Sequence, residues 1–542
     1  MSSLILWHFT RAPRLARLDR GKLILALVIL VLLCGVAIFV LGWALPLPKN
    51  HGPRIKHEAA GPTEIAKLYG KQARKYPRRS GLYPIAHGRE ALLCRIEMVK
   101  LATHFIHSQY YIWSDDLTGK LLLGAIIDAA DRGVKVRIIL DDNTAGDTQL
   151  MWASALQHPN ITVKLFNPFR ARRHRWLNYF YLLDFMRLNR RMHNKSLIVD
   201  GQACIVGGRN IGDNYFSAHS GPHFTDMDVL AMGEVVRHVE KAFEAYWSCG
   251  SAYDAKVLMK GVRGADLEIL RHAVQQRRES PEGKALVEDF GKYKSCRQIA
   301  RGRLPLEWAP ARLLVDDPRK GLGKIDEHDL VVGKLRVILA RGKRELKIAS
   351  AYFVPGRPGA RFLQALAKRG LAIQILTNSL SSNNLLPVHS GYARYRKRLL
   401  RSRVELYELK ANRRVIAEEA KPTRTPKKFF GASSSTLHAK VFILDRTKVF
   451  ISSFNFDPRS TWLNCEMGIL MESPALARFQ LKQVEQRLRR HSYRLELLDG
   501  HRLIWLDLQS RPIGVISREP DTELSRRILV WCISKLPMEW LL

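Results

Sequence analysis

The sequence predicts a duplicated α/β protein: two α/β domains, each a mixed sheet flanked by helices, behind one N-terminal transmembrane helix. Three observations carry that expectation. Strand-like and helix-like stretches alternate from about residue 81 onward, the same order returns near 240 residues later, and residues 23–45 carry no charge. Such alternation argues for a mixed sheet covered by helices. A single recurrence at so long an offset means a doubled domain, not a short-period solenoid.

Taken in order, residues 1–22 form a short basic tail (Arg11, Arg14, Arg17, Arg20, Lys22). The uncharged run 23–45 is long enough for a spanning helix of about 20 residues, and Trp43 falls at interface depth. It is long for a signal-peptide core and lacks a small-x-small cleavage site, so a retained anchor is expected. The denser N-terminal cluster of positive charge places that end in the cytoplasm. Lys49, Arg54 and Lys56 flank the other end, and free cysteines argue for a reducing compartment around the body. These signals conflict, and the sidedness stays open. Residues 46–80 read as a polar, basic linker.

The first α/β domain spans 81–255, with helices at 91–103 and 117–130 and strands at 105–113, 134–140 and 161–166. Residues 256–335 have no counterpart and read as an insertion or connector. The second domain, 336–485, repeats the order with strands at 346–354, 371–377 and 403–409 and a helix at 362–368. A basic C-terminal extension, 486–542, closes the chain.

The formal charge is +38, from 88 basic and 50 acidic residues, which calls for a polyanionic partner. Composition alone does not separate nucleic acid from anionic lipid. The seven cysteines are scattered without a Cys-x-x-Cys pair, so they read as free thiols and not as a zinc framework. Basic residues interleave with aromatics at 169–181, and basic amphipathic stretches recur at 394–403 and 523–542. The first suits an interface resting on anionic lipid, and equally a nucleic-acid groove; the last suits membrane contact or a docked terminal helix.

The chemistry concentrates in one repeated motif. His193-x-Lys195 is followed by four residues and Asp200; His438-x-Lys440 is followed by four residues and Asp445. On a strand, residues two apart share a face, so each copy sets an imidazole beside an ammonium, an arrangement that holds a phosphate next to a nucleophile. Each copy is trailed by an Asn at the same distance, Asn210 and Asn455, and then by an acid, Asp226 (or Asp228) and Glu466. One His-x-Lys match is usually an accident, whereas two with the same trailing Asn are not.

These paired motifs resemble those of the phospholipase D superfamily. The longer strings resemble bacterial cardiolipin synthases, the C branch in particular: YYIW at 110–113, RLNRRMHNKS at 187–196, VGGRNIGDNYF at 206–216, SAYFVP at 350–355, SFNFDPRSTWLNCEMG at 453–468 and LPMEWLL at 536–542. The resemblance runs from about residue 80 to the end. The anchor before it departs from close relatives, which begin near the catalytic body, and Cys465 stands where they tend to carry Thr.

The resemblance implies two phospholipase D-like domains packed as a pseudo-dimer, pooling their motifs into one site. By analogy His193 is the nucleophile, forming a phosphatidyl-histidine, and His438 the general acid and base; the near-symmetry leaves the reverse assignment open. Lys195, Asn210, Lys440 and Asn455 bind phosphate, and Asp226 and Glu466 orient the imidazoles. Asp200 and Asp445 complete the catalytic motif, although their place seven residues after each His suits a structural role. No metal and no cofactor are expected, because the lysines neutralise the phosphate charge. Phospholipid substrates, an anionic membrane surface and the bacterial inner membrane are implied, and no nucleic acid is expected. The function implied is phosphatidyl transfer to phosphatidylglycerol from a phosphatidylglycerol or phosphatidylethanolamine donor. The alternatives are a hydrolytic phospholipase D, an endonuclease of the same superfamily, or a non-enzymatic basic scaffold.

Overall fold

The computed structural model describes residues 25–26, 28–36, 62–169, 184–218, 224–411 and 436–542. Chain contacts divide the described residues into two units, 25–26, 28–36 and 184–185 falling in the first and the rest in the second. In the first unit, residues 25–26 and 28–36 are helical and exposed. Among the described residues no helix is long and apolar enough to cross a membrane. The rest of the expected 23–45 span, and the basic–aromatic residues 170–181, lie outside the described residues.

The second unit contains two large sheets. The first runs, in spatial order, Glu307–Ala309, Ser80–Ile85, Asp228–Gly233, Ala203–Gly207, Ser196–Val199, Phe105–Tyr110, Lys135–Asp141, Ile161–Phe166, Ala252–Asp254. The second runs Ala311–Val315, Met467–Glu472, Lys448–Ser452, Lys440–Leu444, Glu345–Ser350, Ala372–Asn378, Val404–Leu409, then Ser492–Leu498, Arg502–Asp507 and Gly514–Ile516. Their connectivity matches strand for strand from Ser80–Ile85 and Ala311–Val315 onward. Each has a parallel centre, where crossover helices cover the sheet, and antiparallel flanks.

The period of two decides which side chains meet. In Ser196–Val199, Leu197 and Val199 face the outer core of the first sheet, whereas Ile198 joins a core shared by both halves. In Lys440–Leu444, Val441 and Ile443 join the same shared core, while Phe442 and Leu444 face the outer core of the second sheet. The helices Glu234–Trp247 and Pro474–Arg490 add Val235, Val239, Phe243, Leu481 and Val484 to the shared layer. Each buried aliphatic side chain there stabilises the join by about 1.5–3 kcal/mol. The motif strands therefore lie against the seam between the halves.

Three segments differ from expectation. Glu64–Lys75, read as linker, is a helix capped by the Thr63 hydroxyl, which accepts from Ala66 N at 3.0 Å. It buries Ile65 and Tyr69, and the Tyr69 hydroxyl donates to Ile299 O at 3.1 Å. Only two of its side chains are fully buried, so its hydrophobic pattern is too thin to stand out from a polar background. Within 256–335, the strands Glu307–Ala309 and Ala311–Val315 join the edges of the first and second sheets in turn. The final extension supplies three further strands to the second sheet and the helix Leu524–Ile533.

Candidate active site

Both expected motif strands form, but they begin at the lysine end, and the histidines sit just ahead of them. At those positions the chain crosses to the other half. Met192 bridges Cys465, with His193 N donating to Cys465 O and Cys465 N to Arg191 O, both at 2.8 Å. Leu437 pairs with Thr225, and His438 N donates to Thr225 O at 2.8 Å. Cys465 is thus the counterpart of Thr225, each one residue before the acid of its half.

This register crosses the pairs. His193 Nδ1 lies 2.9 Å from Glu466 Oε2, and His438 Nδ1 lies 2.5 Å from Asp226 Oδ2. Each imidazole is held by the carboxylate of the opposite half. Asp228, the other acid considered from sequence, is committed elsewhere, to Arg95 at 2.9 Å and Arg209 at 3.2 Å.

The remaining motif residues converge with them. Lys195 Nζ donates to His193 O at 2.7 Å, and Lys440 Nζ donates to His438 O and lies 3.0 Å from His438 Nδ1. Asn210 Oδ1 accepts from Ile112 N at 3.2 Å, and Asn455 Oδ1 from Tyr352 N at 3.4 Å, which turns each amide nitrogen to the donor role. One Asn210 hydrogen goes to the Tyr215 hydroxyl, 2.9 Å away. Aromatic edges wall the rings: Tyr111 against His193 at 5.2 Å, Tyr215 and Phe224 against His438 at 5.2 and 5.1 Å.

Burial sets the electrostatics. Desolvation lowers the Lys195 ammonium to about 7 and the Lys440 ammonium to about 8. It also lowers His193 well below its ordinary value and His438 to about 3, and the two lysines push both rings the same way. Each lysine acts on both histidines, which makes this one site and not two. The carboxylates differ. Burial raises Glu466 to about 7, whereas at Asp226 the raising effect of burial is outweighed by His438, Lys440 and Arg209, leaving it below its ordinary value. Two lysines, two imidazoles and two side-chain amides thus share one buried site, with both carboxylates behind the rings, surroundings rich in donors for an anionic group.

Asp200 and Asp445 bond to backbone away from the histidines, in keeping with the structural role that their spacing suits. The Asp200 carboxylate accepts from Thr103 N, His104 N and Phe105 N at 2.8–2.9 Å and from the Thr103 hydroxyl at 2.8 Å. Asp445 accepts from Lys343 N, Arg344 N and Glu345 N at 2.7–3.2 Å. Five residues of extended chain, roughly 16 Å, separate each from its lysine. Both clamp the start of the neighbouring strand.

Sequence reasoning missed the groups behind the carboxylates. Behind Glu466, Asp316 takes the Glu466 N–H on its carboxylate at 2.9 Å and donates its own N–H to Glu466 O at 2.9 Å. Lys320 Nζ pairs with Asp316 Oδ2 at 2.7 Å, and both side chains are buried. Behind Asp226 stands Arg209, which donates to Asp226 O at 2.5 Å and Ile85 O at 3.0 Å. Gly208 is required here, since a Cβ would lie 2.2 Å from Asp226 Oδ1. Its counterpart Ser453 instead donates its hydroxyl to Glu466. Arg209 sits inside a noted string, but Asp316 and Lys320 lie in the unpaired connector, where no motif signals them.

One metal-like group occurs among the described residues, His107, Glu240 and Glu244, with candidate ligand atoms within 4.8 Å of one another. Arg137 fills it, donating to His107 Nε2 at 2.9 Å and to Glu244, so it reads as an ion network.

A family model described as cardiolipin synthase, PLD-like domain, matches twice, at residues 96–247 and 335–490. Cardiolipin synthase C of Escherichia coli (strain K12) is 41% identical over 468 residues, 86% of this chain and 97% of the relative. An uncharacterized protein of Helicobacter pylori (strain J99) is 32% identical over 485 residues, 86% of this chain and 90% of that protein. The crystal structure of phosphatidylserine synthase from Haemophilus influenzae Rd KW20 superposes with a TM-score of 0.54 at 12% identity, over 88% of this chain and 100% of that one, a likeness of fold. With both halves matched and a relative aligned almost end to end, the chain belongs to the cardiolipin synthase family of phospholipase D-like proteins.

Proposed function

We propose that this chain is a cardiolipin synthase that transfers a phosphatidyl group to phosphatidylglycerol through a covalent histidine intermediate. The crossed His–carboxylate pairs, His193 with Glu466 and His438 with Asp226, are the observation that carries this reading. His193, with Nδ1–H held by Glu466, presents Nε2 to the phosphorus of the donor lipid. As the N–P bond forms, the headgroup oxygen leaves with a proton from His438, which takes that proton up when the phosphodiester anion enters and offsets the two lysines, yielding a phosphatidyl-histidine and a free headgroup alcohol. His438 then takes the proton of the glycerol hydroxyl of phosphatidylglycerol, which attacks phosphorus, releases His193 and forms cardiolipin. Lys195, Lys440, Asn210 and Asn455 hold the non-bridging oxygens. The site's own ammonium groups supply the positive charge this step needs. Glu466 and Asp226 orient the rings.

Residues 23–45 anchor the chain in the bacterial inner membrane, and the +38 charge draws its body to the anionic lipid surface. The test is incubation of the purified protein with labelled phosphatidylglycerol, with and without phosphatidylethanolamine. Cardiolipin is the expected product. Phosphatidic acid alone would make the protein a hydrolase, and cleavage of DNA without turnover of lipid would make it a nuclease.

A further inference from the structure

Beside the second motif an apolar groove of about 470 Å³ opens between the helices Val331–Ala340 and Gly356–Lys368. That volume falls within the roughly 300–1,000 Å³ of small-molecule sites. Leu335, Leu339 and Phe362 form one side, Phe454 and Phe456 the floor, and Trp540 the outer wall. The floor residues flank Asn455 directly. Asp457, two residues beyond Asn455, also lines the groove, so its inner end lies beside the segment that carries Asn455.

The outer wall is built by the last residues of the chain. The Tyr395 hydroxyl donates to Glu539 Oε1 at 2.8 Å, Arg459 N donates to Leu542 O at 2.6 Å, and Leu542 is buried with Val354 and Val388. At the mouth, Trp462 and Trp540 are 50% and 46% exposed. Two half-exposed indoles beside an apolar slot suit the boundary between headgroups and acyl chains. Next to them the helix Leu524–Ile533 exposes Leu524, Ile528 and Trp531, and Arg526 and Arg527 give it the positive charge that anionic headgroups attract.

We propose that this groove takes one acyl chain of a diacyl phospholipid whose phosphate sits between His193 and His438. The proposal rests on the lipid-transfer reading and adds where the substrate's apolar part is bound. The chain leaves the bilayer at Trp462 and Trp540 and runs inward over Phe456 to Asn455. Filling the slot blocks the chain and leaves the phosphate-binding groups in place.

The test uses the full-length protein in vesicles of phosphatidylglycerol and phosphatidylethanolamine, with a trace of phosphatidylglycerol carrying a diazirine on one acyl chain. Photocrosslinks are mapped by peptide, a readout independent of turnover. Crosslinks at Leu335, Phe362 or Trp540 are expected. Leu335→Trp, which fills the slot, and Trp540→Ala, which opens its wall, are expected to remove or redistribute them, with melting curves confirming folding. Leu335→Trp is also expected to lower kcat/KM for long-chain lipid at least about ten-fold, on the order of the burial of two methylene groups. Crosslinks confined to the exposed face of the helix Leu524–Ile533, meaning bilayer contact only, would overturn the proposal. So would an unchanged crosslink pattern in folded Leu335→Trp. Absence of lipid turnover in the wild type, with the groove crosslinks present, would instead count against the transfer chemistry.

Discussion

The two half-sites start from the same His-x-Lys motif and end with different surroundings. His438 faces an Asp226 that His438 itself, Lys440 and Arg209 hold below its ordinary value against the effect of burial. His193 faces a Glu466 that burial brings to about 7, backed by the Asp316–Lys320 pair from the connector. The polypeptide is duplicated, but the proton-handling groups are not equivalent. The comparison teaches that a doubled fold brings two imidazoles into one site, each held by the carboxylate of the other half, and that the groups behind those carboxylates have diverged.

The harshest way to break the comparison is to remove a ring. His193→Ala is expected to abolish the covalent route, and His438→Ala to cost about 10²–10⁴-fold in kcat, both in folded protein by circular dichroism. Next come the carboxylates. Asp226→Asn and Glu466→Gln each leave a buried ring nitrogen with a poorer partner, a loss of about 1–3 kcal/mol or roughly 5–150-fold. Their pH behaviour separates them. Glu466 is protonated below about 7 and ionised above it, so the wild-type advantage over Glu466→Gln should shrink as pH falls from 8 to 6. The Asp226→Asn ratio should stay flat over that range.

The lysines give a milder, graded effect. Lys195 is charged below about 7 and Lys440 below about 8, so affinity for a non-reactive phosphodiester should weaken as pH rises through that window. The limit is about ten-fold per pH unit for each proton taken up on binding. Titration calorimetry at several pH values measures it, and rising affinity with pH would contradict the electrostatics. Smallest for turnover are the motif aspartates. Asp200→Ala removes the acceptor for three backbone N–H groups and should lower the melting temperature, with Asp445→Ala milder because Asp445 is only half-buried, while the folded fraction keeps its kcat.

The repeated motif made the doubled α/β fold and the eight residues His193, Lys195, Asn210, Asp226, His438, Lys440, Asn455 and Glu466 legible, because chemistry and spacing recur together. The crossing of the pairs was not legible. It depends on the bridges Met192–Cys465 and Leu437–Thr225, contacts between distant segments that leave no periodic trace. Lys320 looked like one cation among 88, and only burial against Asp316 singles it out. Asp200 shows the reverse case: its place seven residues after His193 suits a structural role, and its carboxylate accepts from the start of the neighbouring strand.

The central claim is one shared phosphorus site per chain. Its most direct test is to react the protein with phosphatidylglycerol labelled at phosphorus, quench in denaturant, and count acid-labile label per chain. The account expects one label per chain at saturation, lost in His193→Ala and persistent in His438→Ala. Two labels per chain, one on each histidine, would show two independent sites and contradict it.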